Sequence, residues 1–200
     1  MIEAVVLAAG FSTRMGRPKP LVEIGGEPAL SRILGSLREA GLAHPIVVLG
    51  SAADDVREGI DLRGCCVVVN PSPERGLSSS LRLGMEAATP RSQGVIVLLA
   101  DMPAIRPDTI RAVVEEARSG AQLIVPRFHG QRGFPVFIAS HLFSRLEKTM
   151  AGDSGARTFL ASHSGLLTAI EVPDPGCVLD FDRPEDLHRF ERSAPCATSA

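Results

Sequence analysis

The sequence predicts an α/β fold with a doubly wound, mostly parallel sheet and helices on both faces. The first reason is a series of short, β-branched segments that are apolar on both sides, as in parallel strands covered by helices. The second is that these segments alternate with stretches of helical periodicity through short connections, which favours right-handed βαβ crossovers. A length of 200 residues fits one domain of this kind.

The alternation is regular up to residue 126. Predicted strands cover Glu3–Ala8, Pro45–Gly50, Cys65–Asn70, Val95–Ala100 and Gln122–Pro126. Predicted helices cover Pro28–Ala40, Ala52–Ile60, Leu77–Ala88 and Pro107–Ser119. Pro28 and Pro107 occupy first-turn positions, where proline is tolerated, and Gly41 and Gly120 follow helix ends.

The remaining third has a less regular pattern. It predicts strands at Gly133–Ala139, Leu167–Val172 and Cys177–Phe181, and helices at Ser140–Met150, Ala156–Ser162 and Pro184–Phe190. We expect this segment to form the acceptor side of a cleft within a single domain of residues 1–192. The small, polar stretch Ser193–Ala200 is expected to be a disordered tail.

Composition and charge exclude several classes of function. The formal net charge is −2 and no basic block occurs, which argues against nucleic acid as a partner. No apolar run approaches the roughly 20 residues of a membrane span, and the N-terminal residues lack the basic region of a signal peptide. The four cysteines lack paired C-x-x-C spacing. These features predict a cytoplasmic protein that binds neither nucleic acid nor membranes.

The loop after the first predicted strand has the composition of a phosphate-binding loop. Its residues Leu7, Ala8, Ala9 and Gly10 are small or apolar, and Arg14 and Lys19 follow them. Ligands of open α/β sheets bind at the carboxyl ends of strands, and small residues let backbone N–H groups approach an anion. Two nearby cations would neutralise a triphosphate. The loop therefore favours nucleotide binding, although it matches neither the dinucleotide fingerprint nor the Walker A pattern.

Acidic residues follow two predicted strands. Asp101 comes directly after the buried strand that ends at Ala100, and an unpaired carboxylate there would need either a compensating cation or a role as the cap of the turn before Pro103. Mg²⁺ prefers one or two carboxylates together with phosphate oxygens and water. Asp180 and Asp182 lie at the end of a late strand, and either would be the second metal ligand. Asp182 also stands where a helix N-cap is expected.

Two further stretches enter predicted helices with anion-friendly residues. Ser79 and Ser80 offer hydroxyls for a base, ribose or phosphate, although serines at a helix start are often only caps. The turn Gly152–Arg157 places an arginine where a second phosphorylated substrate would dock. A glycine-rich turn with a solvated arginine is the alternative interpretation of that turn.

Together these motifs resemble one family. The stretch from Leu7 to Lys19 is similar to the signature of nucleotidyltransferases related to the molybdenum-cofactor enzymes. Further segments resemble specifically the molybdenum cofactor cytidylyltransferase (MocA-like) branch, in the same order along the chain. These segments are Gly76–Arg82, Asp101–Pro103, Gly133–Phe137, Gly152–Arg157 and Asp180–Asp182.

The resemblance implies a Rossmann-like nucleotidyltransferase fold of the nucleotide-diphospho-sugar transferase type. It implies transfer of CMP from CTP to the phosphate of Mo-molybdopterin, with Mg²⁺ as cofactor and a molybdoenzyme or its chaperone as a partner. Ala9 favours CTP, because related guanylyltransferases usually carry a second glycine there. The implied catalytic residues are Arg14, Lys19 and Asp101, the implied metal ligands Asp101 with Asp180 or Asp182, and the implied acceptor-binding residues Gly133, Pro135, Asp153, Ser154, Gly155 and Arg157.

Three positions depart from the family pattern. Phe134 stands where the family often has histidine, Arg183 where it usually has threonine, and Ala100 where glycine often precedes the metal-binding acid. The first two bear on the acceptor more than on the chemistry. A guanylyltransferase, a sugar-phosphate nucleotidyltransferase and a noncatalytic nucleotide-binding module for cofactor insertion therefore stay open as alternatives.

Overall fold

A computed structural model describes residues 1–149 and 155–191 of the chain. In these residues one eight-stranded sheet has the strand order β10-β7-β9-β6-β1-β4-β5, with the short strand β8 paired to β7. The strands are β1 (Ile2–Ala8), β4 (Ile46–Leu49), β5 (Cys66–Val69), β6 (Gly94–Leu99), β7 (Leu123–Phe128), β8 (Gln131–Arg132), β9 (Val136–Ala139) and β10 (Leu167–Glu171). A separate hairpin joins β2 (Glu23–Ile24) to β3 (Glu27–Pro28).

Strand direction agrees with the predicted class. Neighbouring pairs among β5, β4, β1 and β6 are parallel, as is the pair of β7 and β10. Only β9 and the short β8 run antiparallel to their partners in this sheet. The expectation of a mostly parallel, doubly wound sheet is confirmed.

Helices cover both faces of the sheet because the residues of each central strand alternate between two apolar cores. One core includes Ala4 and Val6 of β1 and the buried sides of three helices, α1 (Ala29–Glu39), α2 (Ala53–Gly59) and α4 (Pro107–Arg118). The other includes Val5 and Leu7 of β1 and packs against α3 (Leu77–Ala87), α5 (Phe143–Thr149) and α6 (Gly155–Ser162). A short α7 (His188–Glu191) follows near the end of the described chain.

The register of the central strands brings two predicted site segments together. Leu7 of β1 pairs with Leu99 of β6, and the backbone N–H of Ala100 donates to the carbonyl of Leu7 at 3.0 Å. The glycine-containing loop and Asp101 therefore leave the sheet side by side at its carboxyl edge.

The predicted strand Cys177–Phe181 is wrong. Residues Pro175–Val178 form a 3-10 turn, and the buried carboxylate of Asp174 accepts a hydrogen bond from the N–H of Gly176 to hold it. The apolar residues Val178 and Leu179 give this segment the sequence pattern of a strand. Pro175 and Gly176, which precede them, favour a turn instead. The predicted helix Pro184–Phe190 is likewise a 3-10 turn, Pro184–Asp186, followed by α7.

Several sequence expectations fall outside the described residues, namely the tail Ser193–Ala200 and the turn residues Asp153 and Ser154. Within the described part of the chain, no helix is long and apolar enough to cross a membrane.

Candidate active site

The loop between β1 and Lys19 is organised by Ser12. This residue has a φ of 52°, in the left-handed region, and its carbonyl accepts the N–H of Met15 at 2.9 Å. Its hydroxyl oxygen accepts the backbone N–H of Lys19 at 2.8 Å. A tight turn fixed at both ends in this way returns Lys19 towards the carboxyl edge of the sheet.

Four charged side chains meet at that edge. The ammonium of Lys19 lies 2.8 Å from Oδ2 of Asp101 and 2.5 Å from Oδ1 of Asp182. The guanidinium of Arg14 lies 3.1 Å from the other carboxylate oxygen of Asp182. The cations of the loop and the acids that follow two distant segments therefore form one connected group.

Burial and pairing set the protonation of this group. Burial raises the pKa of Asp101, and the Lys19 ammonium only partly opposes this effect. Burial alone would lower the pKa of Lys19, but the two carboxylates outweigh it and raise that pKa above its usual value. The hydrogen bond from Lys19 lowers the pKa of the more exposed Asp182. Lys19 is therefore held as a cation.

One oxygen of this group has no partner. Oδ1 of Asp101 is buried, and no described residue donates a hydrogen bond to it. A buried, unpaired carboxylate oxygen is costly, and a cation bound at this oxygen would compensate for the cost. In the described part of the chain, no group of three or more His, Cys, Asp or Glu side chains is arranged to hold a metal ion. A metal at Asp101 would therefore need further oxygen ligands from a substrate.

The charged group forms part of the wall of a cleft of about 420 Å³. Three segments build this cleft: the loop after β1, the end of β6 and the stretch that enters α3. The residues around it are Leu7, Ala8, Ala9, Gly10, Phe11, Ser12, Thr13, Arg14, Lys19, Pro20, Pro73, Glu74, Gly76, Leu77, Ser80, Leu99, Ala100, Asp101 and Asp182. The volume is within the range of small-molecule sites.

The structure brings most of the expected nucleotide and metal residues to the cleft, but neither Ser79 nor Asp180, which is one of the two alternative metal ligands. Ser80 lines the cleft, whereas Ser79 does not. Asp182 lines it, whereas Asp180 is exposed and lies outside the lining. The helix-cap alternative for Asp182 is also resolved, because the carboxylate that accepts the N–H groups at this turn belongs to Asp186.

The expected acceptor residues have a different position. Gly133 packs so closely on the chain at Cys177 that a Cβ there would lie 2.0 Å from the Cys177 carbonyl oxygen. Pro135 follows a cis peptide bond, and neither it nor Gly133 lines the cleft. Gly155 and Arg157 belong to α6, in a part of the helix whose side chains are not described.

Three residues of the stretch between β5 and α3 were not predicted from the sequence as site residues, namely Asn70, Pro73 and Glu74. Pro73 and Glu74 line the cleft beside Gly76, which belongs to a predicted motif, and Asn70 holds this stretch in place through its side chain. A short run of turn-forming residues between a strand and a helix was the available signal, but it does not say which side chains face a ligand.

Comparison with known proteins identifies the family to which this chain belongs. The model of the MobA-like NTP transferase domain matches residues 4–166, most of the chain. The chain belongs to this family. The MobA-like domain is accordingly a nucleotidyltransferase, and the resemblance carried by its motifs is confirmed.

Relatives of the MobA-like domain carry diverse names. Nicotine blue oxidoreductase from Paenarthrobacter nicotinovorans is 30% identical over 197 residues, which cover 94% of this chain and 96% of that protein. A probable molybdenum cofactor guanylyltransferase from Opitutus terrae is 26% identical over 96% of this chain and 95% of its own.

Solved structures include Rv0371c from Mycobacterium tuberculosis H37Rv, with a TM-score of 0.82 and 33% identity over 94% of this chain and 96% of that one. A complex of Rv0371c with manganese has a TM-score of 0.80 and 30% identity, over 96% and 99% of the two chains.

Proposed function

We propose that this MobA-like domain transfers CMP from CTP to the terminal phosphate of Mo-molybdopterin, releasing pyrophosphate, with Mg²⁺ as its cofactor. The observation that carries the proposal is the meeting of Arg14, Lys19, Asp101 and Asp182 at one cleft. Two cations beside two carboxylates provide binding for both a triphosphate and a divalent ion.

The side chains present fit a divalent metal. Asp101 offers a buried oxygen without a hydrogen-bond donor, and Asp182 a second carboxylate that shares the Lys19 ammonium with it. These two residues would hold the ion, and triphosphate oxygens and water would complete its ligands. When bound, the ion supplies charge neutralisation on the phosphates. The manganese complex of a relative that shares the fold supports a divalent metal ion as cofactor.

The main requirement of this reaction is that the acceptor phosphate and the α-phosphorus of CTP be correctly positioned. A terminal phosphate oxygen of the acceptor attacks the α-phosphorus in line, the new O–P bond forms, and the bond to pyrophosphate breaks. The attacking phosphate is already ionised at neutral pH and needs no general base. Arg14 and Lys19 would neutralise the departing pyrophosphate, and a fixed charge of this kind lowers the barrier without reorganisation.

Ala9 supports CTP as the nucleotide. It is 6% exposed and lies in the wall of the cleft. A methyl group at this point leaves less room than the glycine of related guanylyltransferases, which favours the smaller pyrimidine base. GTP remains the comparison that any assay needs, since a relative carries the name of a guanylyltransferase.

The proposal is tested by measuring pyrophosphate release with each of the four nucleoside triphosphates, Mg²⁺ and either Mo-molybdopterin or a panel of sugar 1-phosphates. We expect release with CTP and Mo-molybdopterin together and none with either alone. Release only with a sugar phosphate would assign another acceptor. Binding of nucleotide without release from any pair would favour a noncatalytic module.

One relative carries the name of an oxidoreductase, so the same protein should be assayed for oxidation of NADH and NADPH. We expect none, because the loop after β1 lacks the G-x-G-x-x-G fingerprint of dinucleotide binding. Turnover of either reduced nucleotide, without pyrophosphate release from any triphosphate, would overturn the proposal.

A further inference from the structure

A buried asparagine connects the edge of the sheet to the wall of the cleft. Asn70 follows β5 and is 3% exposed. Its side-chain amide nitrogen donates to the hydroxyl oxygens of Ser79 at 2.8 Å and Ser80 at 2.9 Å. Its side-chain oxygen accepts the backbone N–H of Ser72 at 2.9 Å. All three partners lie in the stretch that enters α3, so one side chain holds that stretch at both ends.

The orientation of this amide is fixed by the backbone. The N–H of Ser72 is a donor only, so the atom of Asn70 that faces it must be the carbonyl oxygen. Rotation of the amide by 180° would place its NH₂ group against that N–H. The NH₂ group therefore points at the two serine hydroxyls, and both must accept from it.

The hydroxyls of Ser79 and Ser80 differ in whether their own protons have a hydrogen-bond acceptor. Ser79 donates to the carbonyl of Gly76 at 2.8 Å. That carbonyl also accepts the backbone N–H of Ser79 at 3.1 Å, which leaves it poorly placed to serve a further hydroxyl. Ser80 has no acceptor for its proton among the described residues, and it lines the cleft. Its O–H is the free donor of the network.

We infer that Asn70 is a positioning residue that sets the direction of the Ser80 hydroxyl, so that Ser80 donates a hydrogen bond to an acceptor atom of the bound nucleoside triphosphate. The inference rests on the proposed nucleotide site and adds a residue to it. A serine hydroxyl can donate or accept. Asn70 takes one of the two lone pairs of the Ser80 hydroxyl, and no described residue accepts its proton, so this proton is left for the ligand. The cleft therefore favours a carbonyl oxygen, a ring nitrogen or a ribose oxygen over an N–H group at this point.

Replacement of Asn70 by aspartate separates this role from simple anchoring. A carboxylate accepts only, so it would take hydrogen bonds from the Ser72 N–H and from both hydroxyls. The stretch would stay attached, but the Ser80 proton would turn away from the cleft. The side chain keeps its size, and each buried oxygen has a donor.

The experiment is a calorimetric titration of CTP with Mg²⁺ into the full chain and its N70D, S80A and N70D/S80A variants, with melting curves for each. We expect S80A and N70D each to weaken CTP binding about tenfold, the change that about 1.4 kcal/mol produces. The double variant should bind no worse than S80A, since both changes remove the same hydrogen bond. In turnover, KM for CTP should rise while kcat and KM for the acceptor stay unchanged.

Ser92 provides a matched control. It is a buried serine, 7% exposed, whose hydroxyl donates to the carbonyl of Gly94 at 2.9 Å at the opposite end of β6 from the cleft. S92A should leave CTP affinity unchanged, whatever it does to the melting temperature.

Two results would overturn the inference. One is wild-type affinity in N70D or S80A; the other is a double variant whose loss equals the product of the single losses. If N70D does not melt cooperatively, S80A alone decides, because unchanged CTP binding in that variant removes Ser80 from the site. Failure of the wild-type protein to bind any nucleoside triphosphate would instead contradict the proposed function itself.

Discussion

The Lys19 ammonium lies 2.8 Å from Oδ2 of Asp101, although 82 positions separate the two residues in the chain. The contact exists because β1 and β6 are adjacent parallel strands, and the segments that follow them emerge at the same edge of the sheet. Asp182 completes the arrangement from near the end of the described chain, on the other side of the same ammonium. One cation therefore holds together three parts of the fold and the walls of the cleft.

Replacement of Lys19 by alanine should depress turnover strongly and also lower stability. Loss of one fixed charge at a developing anion typically costs about 10²–10³ in kcat. The substitution leaves the buried Asp101 carboxylate without its cation and removes an ammonium that lies 5.7 Å from the centre of the buried Phe181 ring, so the melting temperature should fall as well. Steady-state pyrophosphate release and calorimetry on the same preparation measure both effects.

Arg17 is the control for that substitution. It lies in the same loop and is exposed, but it does not line the cleft. Arg17→Ala should retain wild-type turnover. Equal kinetics in the Lys19 and Arg17 variants would remove Lys19 from the mechanism.

Asp101→Asn should abolish activity and stabilise the fold at neutral pH. Because burial raises the folded-state pKa of Asp101 above its unfolded value, the folded protein binds a proton there more tightly than the unfolded chain does. The ionised side chain therefore costs stability above the folded-state pKa, and this cost disappears as the pH falls through it. Asparagine, which carries no charge, avoids the cost at all pH values.

Melting temperatures measured in EDTA from pH 7.5 down to pH 4 test this expectation. The variant should exceed the wild type at the upper end, and the difference should shrink as the pH falls. A variant that is less stable than the wild type throughout this range would contradict the electrostatic account of Asp101.

The two late aspartates should differ sharply in function. Asp182→Asn removes a carboxylate that contacts both Lys19 and Arg14, and we expect loss of metal-dependent turnover by at least tenfold. Asp180→Asn changes an exposed residue outside the cleft and should keep most activity. Manganese binding followed by electron paramagnetic resonance, in the presence of CTP, measures the same contrast directly. The reverse ranking of the two variants would assign the metal to Asp180.

Gly50→Ala should displace the loop that follows β1 and thereby weaken nucleotide binding. A Cβ at this position would lie 2.5 Å from the carbonyl oxygen of Ala9, so the loop must shift. We expect a loss of about 1–3 kcal/mol in the free energy of unfolding, typical of overpacking, together with weaker CTP binding. Denaturant unfolding and CTP titration measure the two effects.

Gly35→Ala is the matched glycine substitution. Gly35 lies within α1, and apart from the backbone of its own helix a Cβ there would meet no atom of the described residues within 4 Å. Alanine should stabilise the protein by about 0.5–1 kcal/mol through helix propensity, with unchanged CTP binding. A stable Gly50→Ala variant with wild-type affinity would show that the loop tolerates the displacement.

Periodicity predicted the central sheet well and the last third less well. Strands buried on both faces, such as β1 and β6, are recognisable from their composition alone. The stretch from Cys177 to Phe181 has comparable apolar content, but its long-range backbone hydrogen bonds join it to the loop residues Phe134 and Asp101 and not to a strand. Such partners depend on tertiary structure, which a local pattern does not contain.

The part of the candidate site that could be predicted from the sequence is its set of charged residues. Charged residues after strands identified Arg14, Lys19 and Asp101, and the topology then made their proximity understandable. The choice between Asp180 and Asp182 required the structure, because only one residue separates them in the sequence and both lie at the end of the same predicted strand. Asn70 was missed, since its role depends on three hydrogen bonds to a stretch that folds back over it.

We expect this cleft to bind a nucleoside triphosphate through a divalent ion at Asp101. Calorimetric titration of CTP into the wild type and Asp101→Asn, with Mg²⁺ and then with EDTA, tests it most directly. We expect one CTP per chain for the wild type in Mg²⁺, with binding weakened at least tenfold by either EDTA or the substitution. Equal CTP affinity under all four conditions, or none under any, would contradict the account.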